Sequence, residues 1–131
     1  MAARILIVDD EPNIVLSLEF LLRKEGYEVA TAPNGGEALH QAAAFKPHLM
    51  VLDVMLPVLD GFEVCRQLRA DPAQAQLKIL LLTARGRAAE VERGVAVGAD
   101  TYMTKPFATR DLIARVRQLL ATDAAAPQSG K

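Results

Sequence analysis

Three carboxylates, a hydroxyl and an ammonium group stand at equivalent places along this 131-residue chain. Asp9 and Asp10 follow the apolar run Ile5 to Val8, and Asp53 follows Leu49 to Leu52. Thr83 follows Leu77 to Leu82, and Lys105 follows the short segment Asp100 to Thr104. Short apolar runs bounded by Pro and Gly read as strands buried on both faces, and such strands belong to parallel sheets. If the strands are parallel, all five side chains reach one edge, where open α/β sheets keep their ligand crevice. Carboxylates gathered there repel, and at least one holds a proton unless a cation neutralises them. Hard oxygen donors without His or Cys select Mg²⁺ or Mn²⁺ over zinc. A compact lysine suits a phosphoryl oxygen, and Thr83 offers a hydroxyl donor. Together these groups are equipped for phosphoryl transfer, with an aspartyl phosphate as a covalent product and positioning and charge neutralisation as the catalytic work.

Helices must alternate with these strands to hold the groups in place. Glu11-Pro12-Asn13 opens the first, with Pro tolerated in a first turn. Ile14, Leu18, Leu21 and Leu22 form its apolar stripe, and Gly26 is placed to end it. Tyr27 to Ala32 reads as a second, weaker strand. Asn34 with Glu37, and Asp60 with Glu63, have capping-box spacing; they predict helices running to about Phe45 and to the stop at Asp71-Pro72. The second of these turns Phe62, Cys65 and Leu68 inward. A fourth helix is expected from about Arg87 to Val97, closed by Gly98. The last, about Thr109 to Ala121, carries a stripe at Leu112, Val116, Leu119 and Leu120. Five strand–helix alternations predict a doubly wound parallel α/β sheet with right-handed crossovers. Composition and spacing leave its strand order open.

The chain is long enough for one domain with a core of its own. Apolar residues make up 51% and charged residues 24%, an ordinary globular balance, and a net charge of −1 supplies no field for nucleic acid or membrane surfaces. No apolar run approaches the ~20 residues of a membrane span. The single cysteine, Cys65, excludes an internal disulfide and fits a reducing compartment. A cytoplasmic location is expected. Residues 122–131, rich in Ala, Pro, Gln, Ser and Gly, read as a flexible tail or truncated linker after a domain at 1–121.

Asp9-Asp10-Glu11-Pro12, Asp53 with Met55-Leu56-Pro57 and Asp60-Gly61, Thr83-Ala84, and Gly98-Ala99-Asp100 through Tyr102 to Lys105-Pro106-Phe107 resemble a response-regulator receiver domain. The resemblance covers about residues 3–121. It implies a flavodoxin-like (βα)5 sheet in order 2-1-3-4-5. Asp53 would accept a phosphoryl group from the phosphohistidine of a sensor histidine kinase or phosphotransfer protein. Asp10, Asp53 and the Met55 backbone carbonyl would ligate Mg²⁺ directly, with Asp9 acting mainly through water. Lys105 would pair with Asp53 or its phosphoryl group, Thr83 would bond a phosphoryl oxygen, and Tyr102 would be the switch aromatic that turns inward as Thr83 moves. The Lys105–Pro106 bond would be cis. Met55 and Arg85 would screen the phosphoryl group from water, so slow self-hydrolysis is expected. The surface of the fourth helix, fifth strand and last helix would meet an output domain or partner, neither of which the sequence names. Asp111, Arg115 and Arg117 resemble part of a charged dimer-forming set, but Thr101 replaces the usual acid and Val91 the usual base. A monomer or weak phosphorylation-dependent dimer is expected, without direct nucleic-acid or membrane contact.

Each residue has an ordinary reading when taken alone. Asp9-Asp10 can cap a helix, Thr83 can end a strand, Lys105 can be a surface lysine, Tyr102 a half-buried strand aromatic and Cys65 core packing. Jointly these readings require several independent accidents. His40 and His48 are isolated from any matching motif. A flavodoxin-like redox carrier would need a phosphate loop after the first strand, where Asp-Asp-Glu-Pro instead repels phosphate. An aspartate-nucleophile phosphatase would want a second acid two residues after Asp53, where Met55 stands. A degenerate receiver used only for binding is disfavoured, since every expected site residue is present.

Overall fold

The computed structural model describes residues 2–57, 59–84 and 96–128, and only the backbone of 84 and 122–128. Five strands, β1 (Arg4–Val8), β2 (Glu28–Ala32), β3 (Leu49–Asp53), β4 (Lys78–Ala84) and β5 (Thr101–Lys105), form one sheet in the order β2-β1-β3-β4-β5. All four neighbouring pairs are parallel. Four α-helices are described: α1 (Pro12–Lys24), α2 (Gly35–Phe45), α3 (Gly61–Ala70) and α4 (Thr109–Gln128). The helix expected over 87–97 lies outside the described residues, apart from its last two positions, as do Arg85 and Val91.

Alternation along the strands divides the apolar core into two layers. Leu6, Val8, Met50, Leu52, Ile79 and Leu81 face Ala38 and Ala42 of α2 and Phe62, Cys65 and Leu68 of α3. Ile5, Ile7, Leu49, Val51, Leu80 and Leu82 face Leu18 and Leu22 of α1 and Leu112 and Val116 of α4. Burying both faces requires uninterrupted apolar strands. It leaves polar residues room only where the strands end.

Local signals set the helix boundaries. Asn34 Oδ1 accepts from the Glu37 N–H at 2.9 Å, and Asp60 Oδ1 accepts from the Glu63 N–H at 2.9 Å. Gly26, at φ 97°, ends α1 in the left-handed region that glycine enters without strain. Asp71-Pro72 stops α3, and Asp71 then caps a short 3₁₀ turn, Pro72–Gln74. The last helix differs from expectation. It runs on to Gln128, past the anticipated end near Ala121, through Ala124, Ala125 and Ala126, which have the highest helix propensity. The Lys105–Pro106 peptide is cis.

Two predictions follow from the packing. A Cβ added to Gly61 would lie 2.4 Å from the Asp53 carbonyl oxygen and 2.7 Å from the Val54 Cα, both backbone atoms. Gly61→Ala should therefore cost about 1–3 kcal/mol, read as a lower urea midpoint; an unchanged midpoint would contradict the close approach. Burial pushes the Cys65 thiol from 9.0 up to about 11. The stability gained by keeping this thiol protonated is present below 9.0 and lost as pH rises through 11. At pH 8 a thiolate-directed reagent should label the native protein at least about a hundredfold more slowly than the urea-unfolded chain; equal rates would show the thiol to be accessible.

Candidate functional site

The strand register levels the chemically active ends. Val8 pairs with Leu52, Asp53 with Leu82, and Ala84 with Lys105. The Asp9 N–H donates to the Ala32 carbonyl at 3.2 Å and carries the backbone one residue past β1. Asp9, Asp53, Thr83 and Lys105 therefore emerge at the carboxyl edge of the sheet, as the parallel arrangement requires.

There the side chains converge. One carboxylate oxygen from each of Asp9, Asp10 and Asp53 lies within 4.8 Å of the others. Asp9 and Asp53 are 2% and 3% exposed, whereas Asp10 faces solvent. Lys105 Nζ donates to Asp53 Oδ2 at 3.0 Å and to Asp9 Oδ2 at 3.1 Å. Both acids are further fixed by the chain that follows them: the Glu11 N–H donates to Asp9 Oδ1 at 2.9 Å, and the Met55 N–H to Asp53 Oδ1 at 3.0 Å. Asp53 thus presents one oxygen to a backbone donor and the other to an ammonium group.

Charge is under tension in this arrangement. Burial raises the Asp53 carboxyl above its ordinary range, and the Met55 N–H and Lys105 only partly oppose that shift. Burial also acts to lower Lys105, but its bonds to Asp53 and Asp9 outweigh the loss of water and hold the ammonium above its usual value. One lysine serves three acids within ion-pair distance, because Glu11 Oε1 lies 3.6 Å from Nζ. Glu11 enters the site unanticipated: its position beside Pro12 reads as a helix opening, and nothing local ties it to Lys105. Hard carboxylate oxygens in such number, with too little positive charge among them, suit a divalent cation of the Mg²⁺ class.

Thr83 Oγ1 is buried and has no hydrogen-bond partner among the described residues. Such orphaned hydroxyls are uncommon in folded chains, and this one stands next to last in β4, one residue beyond Leu82, the register partner of Asp53. Met55 is 61% exposed beyond Asp53, and Tyr102 is 42% exposed on β5. Arg115 Nη1 donates to Thr101 Oγ1 at 2.8 Å and to the Tyr102 carbonyl at 3.3 Å, joining α4 to β5. Arg117 pairs with Glu25 of its own chain. Among the described residues no helix is long and apolar enough to cross a membrane.

The chain is similar to known proteins. The model of the response regulator receiver domain matches residues 5–117. The chain is 49% identical over 130 residues to the alkaline phosphatase synthesis transcriptional regulatory protein PhoP of Bacillus subtilis, covering 98% of this chain and 53% of that protein. It is 49% identical over 120 residues to the response regulator MprA of Mycobacterium tuberculosis, covering 92% and 51%. The chain therefore spans about half the length of these curated relatives. A crystal structure of a putative response regulator from Chloroflexus aurantiacus superposes with a TM-score of 0.88 at 40% identity, over 92% of this chain and 99% of that one. With its acids, lysine and buried Thr83 hydroxyl at the carboxyl edge of a 2-1-3-4-5 sheet, the chain belongs to the response regulator receiver domain family, the phospho-accepting modules of two-component signalling.

Proposed function

We propose that Asp53 is the phosphoryl acceptor of this receiver domain and that its donor is a phosphohistidine on a sensor histidine kinase or phosphotransfer protein. The observation that carries the assignment is the contact of Lys105 Nζ with Asp53 Oδ2 at 3.0 Å, inside a group of three aspartates. An Asp53 oxygen attacks phosphorus as the bond to the histidine nitrogen breaks, and the histidine takes the electron pair. The nucleophile is the carboxylate form. Burial disfavours that form, so the Met55 N–H and Lys105, which favour it, keep Asp53 competent.

Asp10, Asp53 and the Met55 carbonyl would hold Mg²⁺, or Mn²⁺, with Asp9 acting through water. Bound there, the ion supplies positive charge for the phosphoryl oxygens. Lys105 then turns from Asp53 to the new phosphoryl group, and the Thr83 hydroxyl, which has no partner among the described residues, donates to one of its oxygens. As Thr83 moves, Tyr102 turns inward from its half-exposed position. This changes the surface of β5, α4 and the helix expected over 87–97, which would meet the output domain or partner protein. The free thiol of Cys65 fits a cytoplasmic location. The domain works as a signalling module rather than an enzyme, with only intrinsic autophosphorylation and slow autodephosphorylation. It makes no direct nucleic-acid or membrane contact. A monomer or a weak phosphorylation-dependent dimer follows from Thr101 and Val91, which stand where the charged dimer-forming set has an acid and a base.

Intact-mass analysis after incubation with acetyl phosphate tests this reading. The protein should gain ~80 Da only when Mg²⁺ is present, Asp53→Asn should gain nothing, and the label should persist for many minutes at 25 °C. A labelled Asp53→Asn variant would remove Asp53 from its role. Loss of the label within seconds would contradict the screening assigned to Met55 and Arg85.

A further inference from the structure

We infer that Glu11 is a specificity-determining residue: its carboxylate, set against Lys105 at the mouth of the site, selects against doubly negative small-molecule phosphodonors. The inference rests on Asp53 being the acceptor. Glu11 occupies the N-cap position of α1, yet its side chain makes no capping hydrogen bond. Its backbone does the local work, the N–H donating to Asp9 Oδ1 and the carbonyl accepting from the Val15 N–H. The carboxylate instead reaches 3.6 Å from Lys105 Nζ while its side chain remains 62% exposed. Glu11 and Lys105 share the wall of an open cleft of about 510 Å³ that continues over Asn13, Ser17, Phe107 and Thr109.

Two consequences follow from electrostatics. Asp9, Glu11 and Asp53 lie within ion-pair distance of one ammonium, Asp10 joins the two aspartates in the group placed to hold a cation, and Glu11 is the one acid of the four outside that group. Its charge therefore remains at the entrance when a cation neutralises the others. An approaching dianion meets a repulsion that grows with its own charge and is screened by salt. A donor attached to a protein brings binding contacts of its own elsewhere and overcomes this repulsion; a free acyl phosphate has none. Glu11 thus protects Asp53 from uncontrolled labelling by small metabolites.

The charge of the donor discriminates this effect from a structural one. Acetyl phosphate is doubly negative near neutral pH: an Asp53 oxygen bonds phosphorus, the bond from phosphorus to the acetyl oxygen breaks, and acetate leaves with the electron pair. Phosphoramidate near neutral pH carries an ammonium on phosphorus and a single net negative charge: the phosphorus–nitrogen bond breaks and ammonia leaves with the pair. Labelling rates should be measured with both donors, at low and high salt, for the wild type, Glu11→Gln, Glu11→Ala and Glu11→Asp. With acetyl phosphate at low salt, the Gln and Ala variants should react about two- to fivefold faster than the wild type. The gain should be smaller with phosphoramidate and should shrink at high salt, while Glu11→Asp stays near the wild type. Unchanged or slower rates in the Gln and Ala variants, or equal gains with both donors that ignore salt, would overturn the role given to Glu11. A wild type that neither donor labels would instead remove the acceptor assignment on which the inference rests.

Discussion

One lysine holding two buried carboxylates at the end of a parallel sheet is the interaction on which the rest depends. A buried anion is costly unless it is paired, and here Asp9 and Asp53 lie within reach of each other and share Lys105. The pairing makes the burial tolerable without relieving the crowding. Asp53 remains harder to ionise than an ordinary carboxyl, and Asp10 and Glu11 add further charge at the rim. A site poised in this way responds to any added cation or phosphoryl group, because each arrival redistributes the contacts of one ammonium. That gives the chemistry and the switching a common physical origin.

The fold serves this arrangement through its alternation. With two core layers, β1, β3 and β4 must be apolar along their length, so polar function is confined to the strand ends. The parallel register then gathers those ends at one level. Gly61 makes its own contribution by letting the start of α3 approach the Asp53 and Val54 backbone, which keeps the turn after Asp53 tight. On the far side, Arg69 reaches the carbonyls of Gly98 and Leu77 and the Asp100 carboxylate, tying α3 to the stretch that leads into β5 and so to Lys105.

Much of this was legible in the residues. The strand-end acids, the hydroxyl and the lysine marked the edge, and Asn34 with Glu37 and Asp60 with Glu63 marked two helix starts that the hydrogen bonds match closely. Such signals are local and follow backbone chemistry. Strand order was not derivable from composition and spacing and required the family resemblance. Glu11 was read only as part of a helix opening, because its partner Lys105 is brought near by the same long-range folding that joins Lys105 to Asp9 across 96 positions. The far end of α4 is less legible: Pro, Ser and Gly beyond Ala121 signal a chain stop, while the three alanines 124–126 favour the helix that runs to Gln128.

If negative charge is crowded at this rim, removing one acid should stabilise the metal-free protein, and a divalent cation should do the same for the intact site. Thermal unfolding of the wild type and Asp10→Asn, with chelator and with millimolar Mg²⁺, measures both effects. The account predicts that Asp10→Asn melts a few degrees above the wild type in chelator, and that Mg²⁺ raises the wild type but leaves the variant nearly unmoved. A variant that melts lower in chelator and gains as much from Mg²⁺ as the wild type would contradict it.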